Sequence, residues 1–108
     1  SAKQELSIFF ETPNISMSIL EKQFPSNSQL KSIVNSAIEQ FSKIQDIDKN
    51  IFNETMKKIQ ADTNVGGKDL WQPIRFVITG QIHGPDLSSF ISIIGIDECI
   101  MRLNNAKL

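Results

Sequence analysis

Apolar residues recur at helical spacing along most of this chain. The clearest run is Leu30, Ile33, Val34, Ala37, Ile38, Phe41 and Ile44, with Lys31, Asn35, Glu39 and Lys43 on the opposite side. That i, i+3, i+4, i+7 pattern predicts an amphipathic helix with one buried stripe. Ser26 and Gln29 stand before it at the spacing of a capping box. A second stripe, Ile51, Phe52, Thr55, Met56 and Ile59, predicts the next helix, with Asn53, Glu54, Lys57 and Lys58 outward. Asp48 or Asn50 is its cap, and Asn64 to Gly67 unwinds it, with Gly66-Gly67 as a hinge. Earlier in the chain, Ala2–Phe10 and Ile15–Phe24 read as two short helices, stopped by Thr12-Pro13-Asn14 and by Pro25.

The densest punctuation lies between residues 69 and 95. Pro73 fits the first position of a helix, where no N–H is needed, and Gly80 fits the left-handed stop. Pro85 and Gly95 repeat the pair around Leu87, Phe90, Ile91 and Ile94. A last segment carries Ile96, Cys99, Ile100 and Leu103 on one stripe. Asp97 and Glu98 stand in its first turn and Arg102 near its end, as the helix dipole favours. Phe76 to Ile78 is β-prone, but its bounds keep it helical. The expected fold is all-α, a cage of about six or seven short helices. It forms one domain, with residues 1–65 as helical support and 66–108 as the more distinctive part.

Composition narrows function by exclusion. With 40% hydrophobic and 21% charged residues over 108 positions, the chain has an ordinary globular composition. No run nears the roughly 20 apolar residues of a membrane span. One cysteine precludes an internal disulfide, and one histidine beside it precludes a structural zinc site of the usual kind. Residues 1–65 hold seven lysines against eight acids, and the remainder four cations against four acids. Neither part is a basic patch, so any nucleic acid would be held through bases more than phosphates.

No catalytic constellation emerges. His83, between isoleucine and glycine, reads as a turn residue, and Asp97-Glu98 as ordinary helix-start acids. Gly66-Gly67-Lys68 lacks the spacing of a phosphate loop. Gln72, Arg75 and Thr79 fall three and four apart and are expected on one outward face. Arg75, one of only two arginines, could stack on a base or bind two acceptors at once; alternatively it pairs with Asp86 or Asp97 and ties two helices. Pro85 and Leu87 could form an apolar shelf for an unstacked base with the Gly84 backbone at its edge, or Leu87 could simply fill the core.

The ordered series Pro73-Ile74-Arg75, Val77-Ile78-Thr79-Gly80, His83-Gly84-Pro85 and Ile93-Ile94-Gly95, within a stretch from about Leu70 to Leu103, resembles the C-terminal signature of bacterial-type glutamyl-tRNA synthetases. The resemblance implies an anticodon-binding domain of a class I synthetase, reading bases of the glutamate tRNA anticodon loop. Gln72, Arg75, Gly84, Pro85 and Leu87 match the positions that make those contacts. It also implies that this is a piece of a longer cytoplasmic, monomeric ligase, working beside upstream domains of the same enzyme. ATP and magnesium would be used there, and no cofactor here. The starting Ser1 fits an excised piece. The rival expectation is a small helical protein-interaction module whose grooves take a partner helix.

Overall fold

A computed structural model describes residues 12–84 and 86–107. Six helices lie among them: α1 Met17–Gln23, α2 Leu30–Phe41, α3 Lys49–Thr63, α4 Lys68–Thr79, α5 Leu87–Ile94 and α6 Ile96–Lys107, with no strand in those residues. The all-α expectation holds. The helix expected over Ala2–Phe10 lies outside the described residues.

The apolar stripes locate the helices, and local polar groups set their ends. Ser16, in an extended conformation, accepts the Ile19 N–H at 3.2 Å and starts α1 two residues after the expected Ile15. On α1 only Leu20 is fully buried, while Ile19 stays 42% exposed. The capping box before α2 does not form. Gln29 is itself the cap residue, with no side-chain bond, and its N–H is taken by Asn27 Oδ1 at 2.9 Å. α2 stops at Phe41, so Ile44 lies beyond the helix and packs on the core from a turn. Asp48 caps α3, accepting the Ile51 N–H at 2.8 Å. Ile51 was expected inside but is 38% exposed, while Phe52, Thr55, Met56 and Ile59 are buried. The α3 end is Asn64, at φ 59°, a left-handed position asparagine tolerates.

The largest departure concerns Pro73, which does not start α4 but lies inside it, five residues beyond the true beginning at Lys68. A proline there removes the N–H that would serve the carbonyl four residues back. That carbonyl belongs to Asp69, and it accepts instead from Asn27 Nδ2 at 2.8 Å, a side chain 42 residues away. The helix therefore passes through its proline with the exposed carbonyl supplied from the α1–α2 turn. Gly67, at φ 62°, begins α4 in a conformation suited to glycine.

One apolar core joins all six helices, from Leu20 on α1 to Leu103 and Ala106 on α6. The helix at its centre is α2, which lies against both α3 and α6. Phe41 stacks on Phe52 at 6.1 Å between ring centres, and Phe52 meets the edge of Trp71 at 5.6 Å. These aromatic pairs fix α4 against α2 and α3, and so set the direction of the face that α4 presents.

Candidate nucleic-acid interface

The outward face of α4 carries Gln72 and Arg75, both half-buried, with the half-buried Phe76 beside Gln72. Phe76 is held by an edge-to-face contact with Phe24 at 5.9 Å. Leu70, Pro73, Ile74, Val77 and Ile78 face inward and leave those two polar side chains at the rim. Thr79, expected on the same outward face, is buried. Its hydroxyl lies 2.8 Å from the Arg75 carbonyl oxygen and 3.0 Å from that of Gln81, and accepts the Gln81 N–H at 3.0 Å. Thr79 thus closes the last turn of α4 and aims the chain into the loop. Its spacing suited the outer face, but a hydroxyl at a helix end meets freed backbone groups first.

Gly80 completes the stop, at φ 75° and ψ 8°, its N–H bonded to the Phe76 carbonyl at 2.8 Å. A side chain there would come within 3.3 Å of the Pro13 ring. The loop that follows exposes Gln81, His83 and Gly84. Pro85 lies outside the described residues. The next helix starts at Leu87, with Asp86 as cap. The Asp86 carboxylate accepts the Ser89 N–H at 3.1 Å, and the hydroxyls of Ser89 and Ser88. The Ser88 hydroxyl, then the bonds from Ser89, hold its carboxyl below the usual carboxylate range.

Leu87 is 1% exposed and belongs to the core. It takes the packing alternative, since a side chain so buried offers no open shelf to a base. Gln72, Arg75 and the Gly84 backbone remain on or near the surface, on α4 and the loop that follows it.

A residue the sequence reading placed at a helix end turns out to matter most locally. Arg102 is mid-helix in α6 and 1% exposed. Its Nη1 donates to the Ile78 carbonyl at 2.7 Å, its Nε to Glu98 Oε1 at 3.0 Å, and its guanidinium lies 5.6 Å from the Phe90 ring centre. Glu98 also accepts the Thr12 hydroxyl at 2.7 Å. That hydroxyl above all, with Arg102 against the opposing effect of burial, holds the Glu98 carboxyl below its ordinary value. Glu98 and Arg102 are four apart, a spacing shared by countless surface pairs. The only sequence hint of burial was that Cys99, Leu103 and Arg102 fall on one side of the helix. Cys99, between them, is buried, and desolvation pushes its thiol up to about 12.

Six helices around one core, with a polar helix rim running into an exposed loop, define a helical binding domain. From residue 2 to residue 107 the chain matches the family described as the anticodon binding domain. This chain belongs to that family. It is 38% identical over 85 residues to a glutamate–tRNA ligase of Finegoldia magna, and 30% identical over 83 residues to one of Staphylococcus saprophyticus. Those matches cover 79% and 77% of this chain but 17% of each relative's length. The resemblance noted from Leu70 to Leu103 is borne out by both. No solved structure matches this chain significantly.

Proposed function

We propose that this chain is the C-terminal anticodon-binding domain of a glutamate–tRNA ligase, and that it holds the anticodon loop of glutamate tRNA. The family match over residues 2–107 carries the reading. The two ligase relatives supply the choice of glutamate among amino acids. Gln72 and Arg75 would meet anticodon bases from the α4 rim, and the Gly84–Pro85 segment would meet them from the loop, the Gly84 backbone at a base edge. Leu87, the remaining position that matches the family's contacts, would act through packing, since it is buried. A guanidinium at Arg75 can stack on a base and bond its edge together. The near-balance of charge favours selectivity through those few contacts over phosphate attraction.

In this reading the chemistry, with its ATP and magnesium, belongs to the catalytic part of the longer enzyme. Among the described residues no group of three or more His, Cys, Asp or Glu side chains could hold a metal ion. No helix among them is long and apolar enough to cross a membrane. The same proposal takes the parent ligase to be cytoplasmic and monomeric.

Trp71 reports on this face, since it is half-buried, adjoins Gln72 and packs against Phe52. The test titrates the domain at low salt with a hairpin copying the glutamate anticodon stem-loop, and with a second hairpin of altered anticodon and identical stem. A Trp71 fluorescence change that weakens clearly with the second hairpin is expected. Equal responses, or none from a folded domain, would overturn the reading.

A further inference from the structure

The polar rim of α4 is only as well placed as the end of that helix, and the end of α4 is held by a charge drawn from the far end of the sequence. We infer that Arg102 is a positioning residue for anticodon recognition, fixing the α4 C-terminus and the Gln81–Asp86 loop without touching RNA. This rests on the anticodon reading above.

Three contacts meet at one guanidinium. Nη1 takes the Ile78 carbonyl, one of the last of α4, whose partners a helix end leaves unfilled. Nε takes Glu98, which in turn binds Thr12. The guanidinium carbon lies over the Phe90 ring on α5, the helix that receives the loop. Thr12 continues to Pro13, which lies against Gly80. So α6 clamps the departing end of α4, the arriving helix α5 and the incoming segment Thr12–Pro13 around the root of one loop. The loop itself is anchored at Thr79 on one side and Asp86 on the other, leaving Gln81, His83 and Gly84 exposed between them.

A hydrophobic residue of similar length would fill this space and often costs a fold little, since a buried ion is expensive to desolvate. What it could not do is hold a carbonyl, a carboxylate and a ring in fixed relation. Lysine keeps the charge but offers a single rotatable ammonium in place of a rigid fork. The arrangement therefore supplies geometry more than stability.

The experiment compares Arg102→Met and Arg102→Lys with the parent and with Ile59→Val, a core change on α3 away from the loop. Hydrogen exchange would follow the amides of Gly80, Gln81 and Asp86 against those of α2. The two hairpins would give the ratio of cognate to altered binding. In both Arg102 variants the loop-root amides should exchange about tenfold faster while the α2 amides do not, and the binding ratio should fall by about tenfold, the scale of one good base contact. Ile59→Val should leave both readouts in place. Unchanged loop exchange and an unchanged ratio in a folded Arg102 variant would overturn the inference. So would an equal loss in Ile59→Val, which would mark a general effect of stability. Should Arg102→Met fail to fold, Arg102→Lys decides. If the parent itself treats both hairpins alike, the anticodon reading falls, while the exchange comparison still decides whether Arg102 holds the loop.

Discussion

Asn27 and Pro73 illustrate how one residue's deficiency becomes another's role. Pro73 withholds a donor from the Asp69 carbonyl, and Asn27 Nδ2 supplies one. Replacing Asn27 with alanine should destabilise the domain by about 1 kcal/mol, the usual worth of such a bond. Pro73→Ala returns the missing N–H to the helix, so Asn27→Ala should cost clearly less in that background. Urea denaturation of the four proteins in a double-mutant cycle measures the difference, and strict additivity would refute the link. Arg75 carries the contrasting expectation. At the rim, Arg75→Ala should leave the domain folded and reduce hairpin discrimination by roughly 1–3 kcal/mol. Loss of the fold, or an unchanged ratio, would count against it. Little of this was visible in the chain: a proline reads as a helix start because that is where it is cheapest. Its tolerance inside α4 depends on a donor 42 residues away that no local pattern records.

At the scale of elements, the helix ends are where stability and acidity meet. Asp86 at the start of α5 and Glu98 in the first turn of α6 both have carboxyls held below their ordinary values by hydrogen bonds in the fold. As pH falls into the range near 4 where unfolded carboxylates titrate, the unfolded chain binds protons first. Stability from these groups is thus complete above that range, declines below it, and is gone once the folded carboxyls are protonated. Melting temperature should fall between pH 5 and pH 3, and Asp86→Asn should show a shallower fall than the parent. Asp86 is exposed and Glu98 only partly buried, so salt will soften the slope. Gly80 offers a test without titration. At φ 75° with the Pro13 ring close by, Gly80→Ala should cost about 1–2 kcal/mol through the left-handed backbone alone, seen as a lowered urea midpoint. Such ends were partly legible. Asp48, Gly80 and Gly95 stand where helix stops and starts require them, because their chemistry is local. The Ser26–Gln29 box misled because Asn27, between the two, had a nearer N–H to accept and a distant carbonyl to serve.

For the molecule as a whole, the apolar periodicity was the dependable signal. Phe52, Met56 and Ile59, or Leu30, Ile33, Val34 and Ala37, are buried as their spacing requires. The fold class follows from those stripes alone. Which polar side chains join the core is set by how the helices cross, and that is a property of pairs of elements. Arg102 is buried for that reason, and Ile51 is left outward for the same one. The candidate site divides along the same line. The end of its helix was readable from Gly80, whereas Pro73 misplaced the start, and the clamp behind joins Thr12, Ile78, Phe90, Glu98 and Arg102 from four separate parts of the sequence.

The bond from Asn27 to the Asp69 carbonyl also has a bearing on the order in which the chain folds. During synthesis the turn bearing Asn27 emerges 42 residues before its acceptor, a wait of a few seconds at about 5–20 residues per second. Until the two meet, the helix through Pro73 has a gap in its ladder and little reason to persist alone. Its completion is therefore a late event, made only when distant parts have docked. In stopped-flow measurements Asn27→Ala should speed unfolding and leave the folding rate almost untouched.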